Sequence, residues 1–221
     1  MLDVVAQITE GTAFDKHGRP FRRRNVIPGI VMFGCLAVAA LMVWMIALSR
    51  PPEVPQAAVC NPPPAPTEPN APVPDLGEQV SRSTMLDVTP AKLADTRIRV
   101  LNASGQGGQA GAVAGELRDL GFTDPEAAND PIYASARLQC QGQIRFGPAG
   151  RAAAASLWLV APCTELFQDG RTDDTVDLAI GTDFTELTHS DDIDAVLSSL
   201  MPEATQPADP DLLVKAHTGT C

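Results

Sequence analysis

Five cysteines are the residues of this sequence with the most specific chemistry. Cys35 lies inside an apolar run, whereas Cys60, Cys140, Cys163 and Cys221 all follow it. Four thiols in an oxidising compartment predict two disulfides, for which three connectivities exist. The spacings do not match paired C-x-x-C zinc ligands, so we expect no structural zinc.

The predicted local topology favours one of these connectivities. Residues 143–146 alternate in polarity as a strand, and residues 148–160 predict a helix with a proline in its first turn. A helix that packs antiparallel to the preceding strand ends near the residue where that strand began. The cysteine before the strand would therefore meet the cysteine after the helix. The predicted disulfides are Cys140–Cys163 and Cys60–Cys221.

A glycine-rich turn separates a predicted strand, residues 97–102, from a predicted helix that ends before Gly121. The backbone amides of such a turn bind phosphates and other anions. The spacing of the turn formally fits a dinucleotide-binding fingerprint, but no acidic ribose ligand is clearly placed about 20 residues later. We interpret the turn as a tight strand-to-helix connection, with an anion site for a glycan phosphate as the alternative. The candidate anion ligands are Ser104, Gly105, Gly107 and Gly108.

Carboxylates are concentrated between residues 169 and 194. Paired carboxylates can hydrolyse glycosidic bonds, and clustered ones can bind calcium. Their spacing fits no EF-hand loop, and neither His189 nor His217 has a serine or acid partner pattern. We therefore interpret the carboxylates as turn residues, a solvated face and helix starts, and we expect no catalytic residue, cofactor or metal. The carboxylates are Asp169, Asp173, Asp174, Asp177, Asp183, Asp191, Asp192 and Asp194.

Two aromatic side chains could stack on a sugar ring. Tyr133 lies in the segment between the predicted first helix and the strand at residues 143–146. Trp158 lies beside Leu157 on the predicted second helix. That neighbourhood favours a core position for Trp158 over a sugar-binding one.

The charge distribution divides the chain at an apolar segment. The 221 residues have a net charge of -11, which excludes a generally basic nucleic-acid-binding surface. Residues 1–25 carry five basic and three acidic side chains, a net charge of +2. The residues after the apolar segment therefore sum to -13 (-11 minus +2).

Val26–Leu48 is a run of 23 residues without a charged side chain. As a helix it would be about 34 Å long, enough to cross a hydrocarbon core of about 30 Å. The cluster Arg22–Arg24 abuts it, so we predict a single-pass membrane protein with a cytoplasmic N-terminus and an extracytoplasmic bulk. A cleaved signal peptide is the alternative, although its apolar region is usually only 7–15 residues long.

The chain after the predicted span begins with a proline-rich stalk, since residues 51–74 hold 10 of the 20 prolines. Such a segment extends as polyproline II and acts as a semi-rigid spacer. The elements beyond it follow the order βα(β)βαββ, which predicts a small α+β sandwich with two helices on one sheet. A helix capped by Ser190 and a C-terminal tail that packs back onto the domain, held there by Cys221, complete the prediction. The predicted segments are 1–25 cytoplasmic, 26–48 spanning, 49–75 stalk, 76–95 connection, 96–189 domain, and 190–221 C-terminal helix and tail.

Several motifs in the predicted domain resemble the LytR C-terminal domain family. They are the strand and turn Arg99-Val100-Leu101-Asn102-Ala103-Ser104-Gly105, the alanine-rich helix closed by Gly121-Phe122, and the late Gly181-Thr182-Asp183-Phe184. The resemblance covers about residues 96–186, and the whole layout is similar to actinobacterial envelope-integrity proteins. That family often accompanies LytR-CpsA-Psr phosphotransferases, which attach glycopolymers to peptidoglycan. The chain has no room for the transferase domain, so the resemblance implies no catalytic residues.

Together these observations predict a non-catalytic, membrane-anchored envelope protein. The resemblance implies that its exported domain binds a cell-wall glycopolymer or an envelope-assembly enzyme such as a LytR-CpsA-Psr transferase. The charge of -13 disfavours broad capture of anionic polymers, so we expect a protein partner or a neutral glycan. The alternative is a wall-glycan enzyme that uses the clustered carboxylates.

Overall fold

The computed structural model describes residues 27–48, 59–66 and 73–217, and the chain divides into two compact units, Met1–Pro51 and Pro52–Cys221. In the first unit, helix α1 comprises Ile27–Leu48. Its segment Ile27–Ile46 is long and apolar enough to cross a membrane, and its side chains are exposed. The basic cluster and the predicted cytoplasmic segment lie outside the described residues.

The second unit is built on one mixed sheet of six strands in the order β1-β5-β4-β6-β2-β3. Strand β2 is parallel to both β3 and β6, and β4 is parallel to β5. Antiparallel pairs join β4 to β6 and β1 to β5. The strands are β1 Glu78–Gln79, β2 Arg97–Asn102, β3 Glu126–Asn129, β4 Gly142–Phe146, β5 Glu165–Gln168 and β6 Thr175–Ile180.

Helices cover one face of this sheet. Apolar side chains recur along α3 at helical spacing, and α3 buries Ala110, Val113 and Leu117 against the sheet. Gly108 precedes α3 with a φ of 81°, a conformation that favours glycine at this sharp entry. The helices of the unit are α2 Arg82–Leu86, α3 Gln109–Asp119, α4 Arg151–Val160, α5 Asp191–Leu200 and α6 Pro210–His217.

Alternation along the strands places the main core between the sheet and these helices. Ile98 and Val100 of β2 and Leu178 of β6 face the helices and are fully buried. A much smaller apolar cluster, which includes Leu101 and Tyr133, lies on the opposite side of the sheet. We call that opposite side the open face.

The predicted α+β sandwich is confirmed. The strand written in parentheses in the predicted order forms β3, at the edge of the sheet. Strands β5 and β6, although consecutive, are not neighbours, because β4 lies between them. The tail packs back onto the main core, but it does so as helix α6, which Pro210 starts at a position where a missing amide hydrogen costs no helical hydrogen bond. Ser190 caps α5 as predicted, since its Oγ accepts a hydrogen bond from the Ile193 amide at 3.2 Å.

The predicted disulfide pairing is wrong, because Cys60 is bonded to Cys140. Cys140 precedes β4 and Cys163 precedes β5, so the parallel pairing of these strands does place the two cysteines near the same end of the sheet. However, Cys140 packs into the small cluster on the open face, whereas Cys163 follows α4 on the helical side. Cys163 is also disulfide-bonded. Cys221 lies outside the described residues, and Cys35 is a free thiol.

The described part of the stalk, residues 59–66, is fixed to the open face by more than the disulfide. The side chain of Asn61 donates to the carbonyl of Arg137 at 3.1 Å and accepts from the amide of Gln139 at 2.6 Å. The hydroxyl of Tyr133 donates to the Asn61 carbonyl at 2.7 Å. We call residues 59–66 the strap, and these contacts attach it beside the start of β4.

Trp158 is a core residue, as predicted, and is 1% exposed. The ring of His217 stacks on it with 3.8 Å between centroids, and the guanidinium of Arg82 lies 5.1 Å from its centroid. The indole N–H donates to the carbonyl of Pro162 at 3.1 Å. Burial, and to a smaller extent the charge on Arg82, lowers the pKa of His217 to about 4. The indole thereby joins α2 and α6 to α4.

Removal of the Cys60–Cys140 disulfide is expected to destabilise the second unit. The bond closes a loop with a sequence separation of 80, which corresponds to about 4.5 kcal/mol of chain entropy in the unfolded state. Cys60→Ser and Cys140→Ser should each lower the free energy of unfolding in urea by a similar amount, and the double variant should lose nothing more. Non-reducing peptide mapping that joined Cys60 to any other cysteine would contradict the pairing.

The stability of the second unit should fall as the pH drops from about 6.5 to about 4. In this window His217 takes up a proton in the unfolded chain but not in the fold, so the unfolded state is favoured. A shift of about 2.5 pH units corresponds to roughly 3 kcal/mol. Urea unfolding at stepped pH measures this dependence, and His217→Phe should flatten the curve of stability against pH in this window. Parallel curves for wild type and His217→Phe would refute this role.

Candidate functional site

One row of residues crosses all six strands on the open face. The strand registers place these residues side by side, because neighbours in a ladder share one face of a sheet. Glu126 of β3 lies beside Arg99, Arg99 beside Asp177, and Asp177 beside Arg145. Four charges therefore alternate in sign along the row. In spatial order from β1 to β3 the row is Gln79, Phe167, Arg145, Asp177, Arg99 and Glu126.

Asp177 is the centre of the first charged network in this row and is almost fully buried. Its carboxylate accepts two hydrogen bonds from Arg99, at 2.7 Å and 3.0 Å. It accepts a third from Arg171 at 2.8 Å. Arg171 also donates to Asp169 at 2.6 Å, so two guanidiniums and two carboxylates form one connected chain.

Arg145 is the centre of the second network and is also buried, with its side chain 3% exposed. One of its Nη atoms lies 2.9 Å from the carboxylate of Asp130, which is fully buried. The guanidinium also donates two hydrogen bonds to the Gln143 side chain and lies 5.6 Å from the centroid of the Tyr133 ring. The other oxygen of Asp130 accepts from the Tyr133 amide at 3.2 Å, so this ion pair also orients the loop after β3.

Hydrogen bonds lower the pKa values of two carboxylates near this row, Asp169 and Asp173. Burial alone would raise the pKa of Asp169, but hydrogen bonds from Arg171 outweigh it and lower the pKa. The pKa of Arg171 is raised, since its two carboxylate partners outweigh burial. Backbone and side-chain hydrogen bonds from Thr175 lower the pKa of exposed Asp173. A general acid for glycoside hydrolysis requires the opposite shift.

A groove of about 500 Å³ lies on the open face, and its lining extends from β3 across β2 to β6 and β4 and includes the segments before β1 and after β5. Apolar side chains line its floor, among them Leu101, Ala128 and Ile132. Charged side chains of the row line it as well, including Arg99 and Glu126. The arrangement suits an elongated ligand with an apolar body and a polar end, because the floor and the charged groups are adjacent.

The glycine turn forms the predicted strand-to-helix connection between β2 and α3. Ser104 is buried, and its hydroxyl bonds to the side chains of Asn102 and Gln109 and accepts from the Gln106 amide. Its hydroxyl is therefore occupied within the turn.

The glycines of this turn are exposed beside a second cavity. Gly105 and Gly107 line a cavity of about 480 Å³ together with Arg137 and Asp130. Asp130 follows β3, the position at which dinucleotide-binding folds have the acidic residue that binds the ribose. Its carboxylate, however, is paired with Arg145. The anion site at Gly105, Gly107 and Gly108 stays a prediction.

The remaining candidate residues are scattered or buried. Tyr133 and Trp158 are both buried, so neither presents a ring to a sugar. His189 lies 3.1 Å from the carboxylate of Glu116 at the surface. Within residues 27–48, 59–66 and 73–217, no three His, Cys, Asp or Glu side chains are grouped to hold a metal ion.

Sequence reasoning missed the charged row, although a signal was present. In β2, β4 and β6 a charged residue alternates with apolar ones, which is typical of a strand with one polar face. Arg99, Arg145 and Asp177 occupy these alternate positions. Their assembly depends on the strand order, which periodicity alone does not determine.

Arg145→Met should destabilise the second unit by about 3–5 kcal/mol, because it leaves the buried carboxylate of Asp130 without a counter-charge. In an Asp130→Asn background the same substitution should cost much less, since no buried charge remains. Urea unfolding of the four proteins measures this coupling. Strictly additive losses would contradict a direct role of the ion pair.

Comparisons with known proteins agree with this architecture. Residues 95–184 match the family described as LytR cell envelope-related transcriptional attenuator. The cell envelope integrity protein Cei of Mycobacterium tuberculosis is 66% identical over 218 residues, which cover 99% of this chain and 100% of that protein. The crystal structure of the soluble domain of a conserved hypothetical secreted protein from Mycobacterium marinum matches with 70% identity and a TM-score of 0.65. This match covers 66% of this chain and 99% of the crystallised domain. The chain therefore belongs to the family of the cell envelope integrity protein Cei and contains a LytR C-terminal domain.

Proposed function

We propose that the chain is a non-catalytic, membrane-anchored protein whose exported domain supports envelope integrity by binding a partner. That partner is a cell-wall polymer or an envelope-assembly enzyme, for example a LytR-CpsA-Psr transferase. The membership of the Cei family supports the envelope-associated role. The open face with its groove is the surface that we assign to binding.

The observation that favours this surface is the charged row itself. At its centre Asp177 is already paired with Arg99 and Arg171, and Arg145 is paired with Asp130, so these groups are held in position before a ligand arrives. A preorganised polar surface loses little conformational entropy on binding, which favours recognition. The helical side, in contrast, is occupied by the main core.

The same pairing argues against the enzymatic alternative. Hydrogen bonds from Arg171 outweigh the burial of Asp169 and lower the pKa of its carboxyl. A glycosidase needs one carboxyl that keeps its proton near neutral pH as well as one that is ionised. The shift at Asp169 is opposite to the one that such an acid needs, and the carboxylate of Asp177 is occupied by donors from Arg99 and Arg171.

The anchoring that we propose follows from α1 and from the charges around it. Ile27–Ile46 would cross the membrane, and the cluster Arg22–Arg24 would keep the N-terminus in the cytoplasm.

A steric block on the open face tests the proposed function in cells that lack their own copy of the gene. Ala128→Trp fills the groove from an exposed position, and Ala112→Trp places the same side chain on the exposed side of α3. At equal protein levels, Ala128→Trp should fail to restore the barrier to a dye that enters only leaky envelopes. Ala112→Trp should restore it.

Two outcomes would contradict this function. Full restoration by Ala128→Trp would show that the open face is not the binding surface. Turnover of purified wall by the second unit, lost in Asp177→Asn at unchanged stability, would establish the enzymatic alternative.

A further inference from the structure

Strand β3 is a free edge of the sheet. It pairs with β2 on one side, and in the sheet formed by the described residues it has no neighbour on the other. All four of its residues are exposed, and the two in the middle are alanines. The outward backbone groups of such an edge can pair with an extended segment of another chain.

The groove on the open face adjoins this edge. Glu126 and Ala128 of β3 line it, and both project to the open face because they are in register with Arg99 and Leu101. In a strand added beside β3, the residues opposite Glu126 and Ala128 would project to the same face. One side chain of an added strand would therefore reach the groove.

The charges of the groove define which side chain fits. Arg99 and Arg171 are paired with Asp177 and Asp169, as described above. Glu126 lies next to Arg99 in register, yet Arg99 turns to Asp177, and no described residue forms an ion pair with Glu126. The carboxylate of Asp75 lines the same groove, and its described contact is with the amide of Gly77. The unmatched charge at the groove is negative.

A basic side chain complements both parts of this groove. The methylene stem of lysine packs on apolar surface while its ammonium group reaches a charged rim. The floor of the groove has that character at Leu101, Ala128 and Ile132, and the unmatched carboxylate of Glu126 supplies the charge. The net charge of -13 on the residues after Leu48 also attracts basic segments.

We propose that a protein partner adds an extended segment to the free edge of β3 and inserts a lysine or arginine side chain into the groove beside Glu126. This rests on the proposed function and names the kind of partner for the same surface. A second copy of this chain is disfavoured because two acidic domains repel each other. Anionic wall polymers are disfavoured by the same charge.

An NMR titration of the isotope-labelled second unit, residues 52–221, tests this directly. The soluble domain of the Mycobacterium marinum relative crystallised on its own, so this unit can be studied without α1. The probes are two blocked pentapeptides, threonine-valine-X-valine-threonine, in which X is lysine or norleucine. Both have the same β propensity at their ends and nearly the same stem at X, but only one has the ammonium group.

We expect the lysine peptide to shift the amide signals of residues 126–129 and of Leu101. It should bind about fivefold more tightly than the norleucine peptide, the difference expected for a partly exposed ion pair. In Glu126→Gln the two peptides should bind equally. Glu203→Gln removes an exposed carboxylate from the segment between α5 and α6 and should preserve the difference.

Equal affinity of the two peptides for the wild-type unit would overturn the proposal, as would shifts confined to other residues or no shifts at millimolar peptide. Binding of soluble wall fragments at the same amides, without binding of the lysine peptide, would assign the groove to a polymer instead. If the peptides fail while Ala128→Trp still abolishes complementation, the proposed function stands and this inference falls.

Discussion

The pairing of Asp177 with arginines from two sides is the interaction on which the open face depends. The sheet has helices on one face, so its other face must satisfy buried polar groups without a second helical layer. The buried carboxylate of Asp177 is satisfied by hydrogen bonds from Arg99 and Arg171. The neighbouring buried guanidinium of Arg145 is paired with Asp130. These lateral pairs allow the charged side chains of Asp177, Arg145 and Asp130 to be almost fully buried at the centre of the face. At the margin of the face, Glu126 of β3 forms no ion pair with any described residue, because Arg99 turns to Asp177.

The strap adds a covalent constraint to the same face. Cys60 is bonded to Cys140, and Asn61 is held by hydrogen bonds with the segment that precedes β4. The contact between Tyr133 and Asn61 links the strap to the loop that Asp130 orients. The disulfide, the Asp130–Arg145 ion pair and the groove are therefore structurally connected. We expect a change in the disulfide or the ion pair to alter the proposed binding surface.

Local patterns predicted most elements of this domain, because apolar spacing along α3 and alternation along β2 and β6 reflect what each element buries. The same patterns could not predict which elements meet. The pairing of Arg99 with Asp177 joins strands almost eighty positions apart, and the strand order sets it. The disulfide was predicted wrongly for a related reason, since position along β4 does not tell which layer Cys140 faces. The glycine turn was located correctly, whereas its role in binding an anion stays a prediction.

The claim that the open face receives the partner is tested most directly by photocrosslinking in intact cells. A benzophenone amino acid at position 128 should capture a protein segment that contains lysine or arginine, identified by mass spectrometry of the crosslinked peptides. The same amino acid at position 112, on the exposed side of α3, should not capture that segment. Capture of the same partner at position 112 but not at 128, or of glycan alone at 128, would contradict the account.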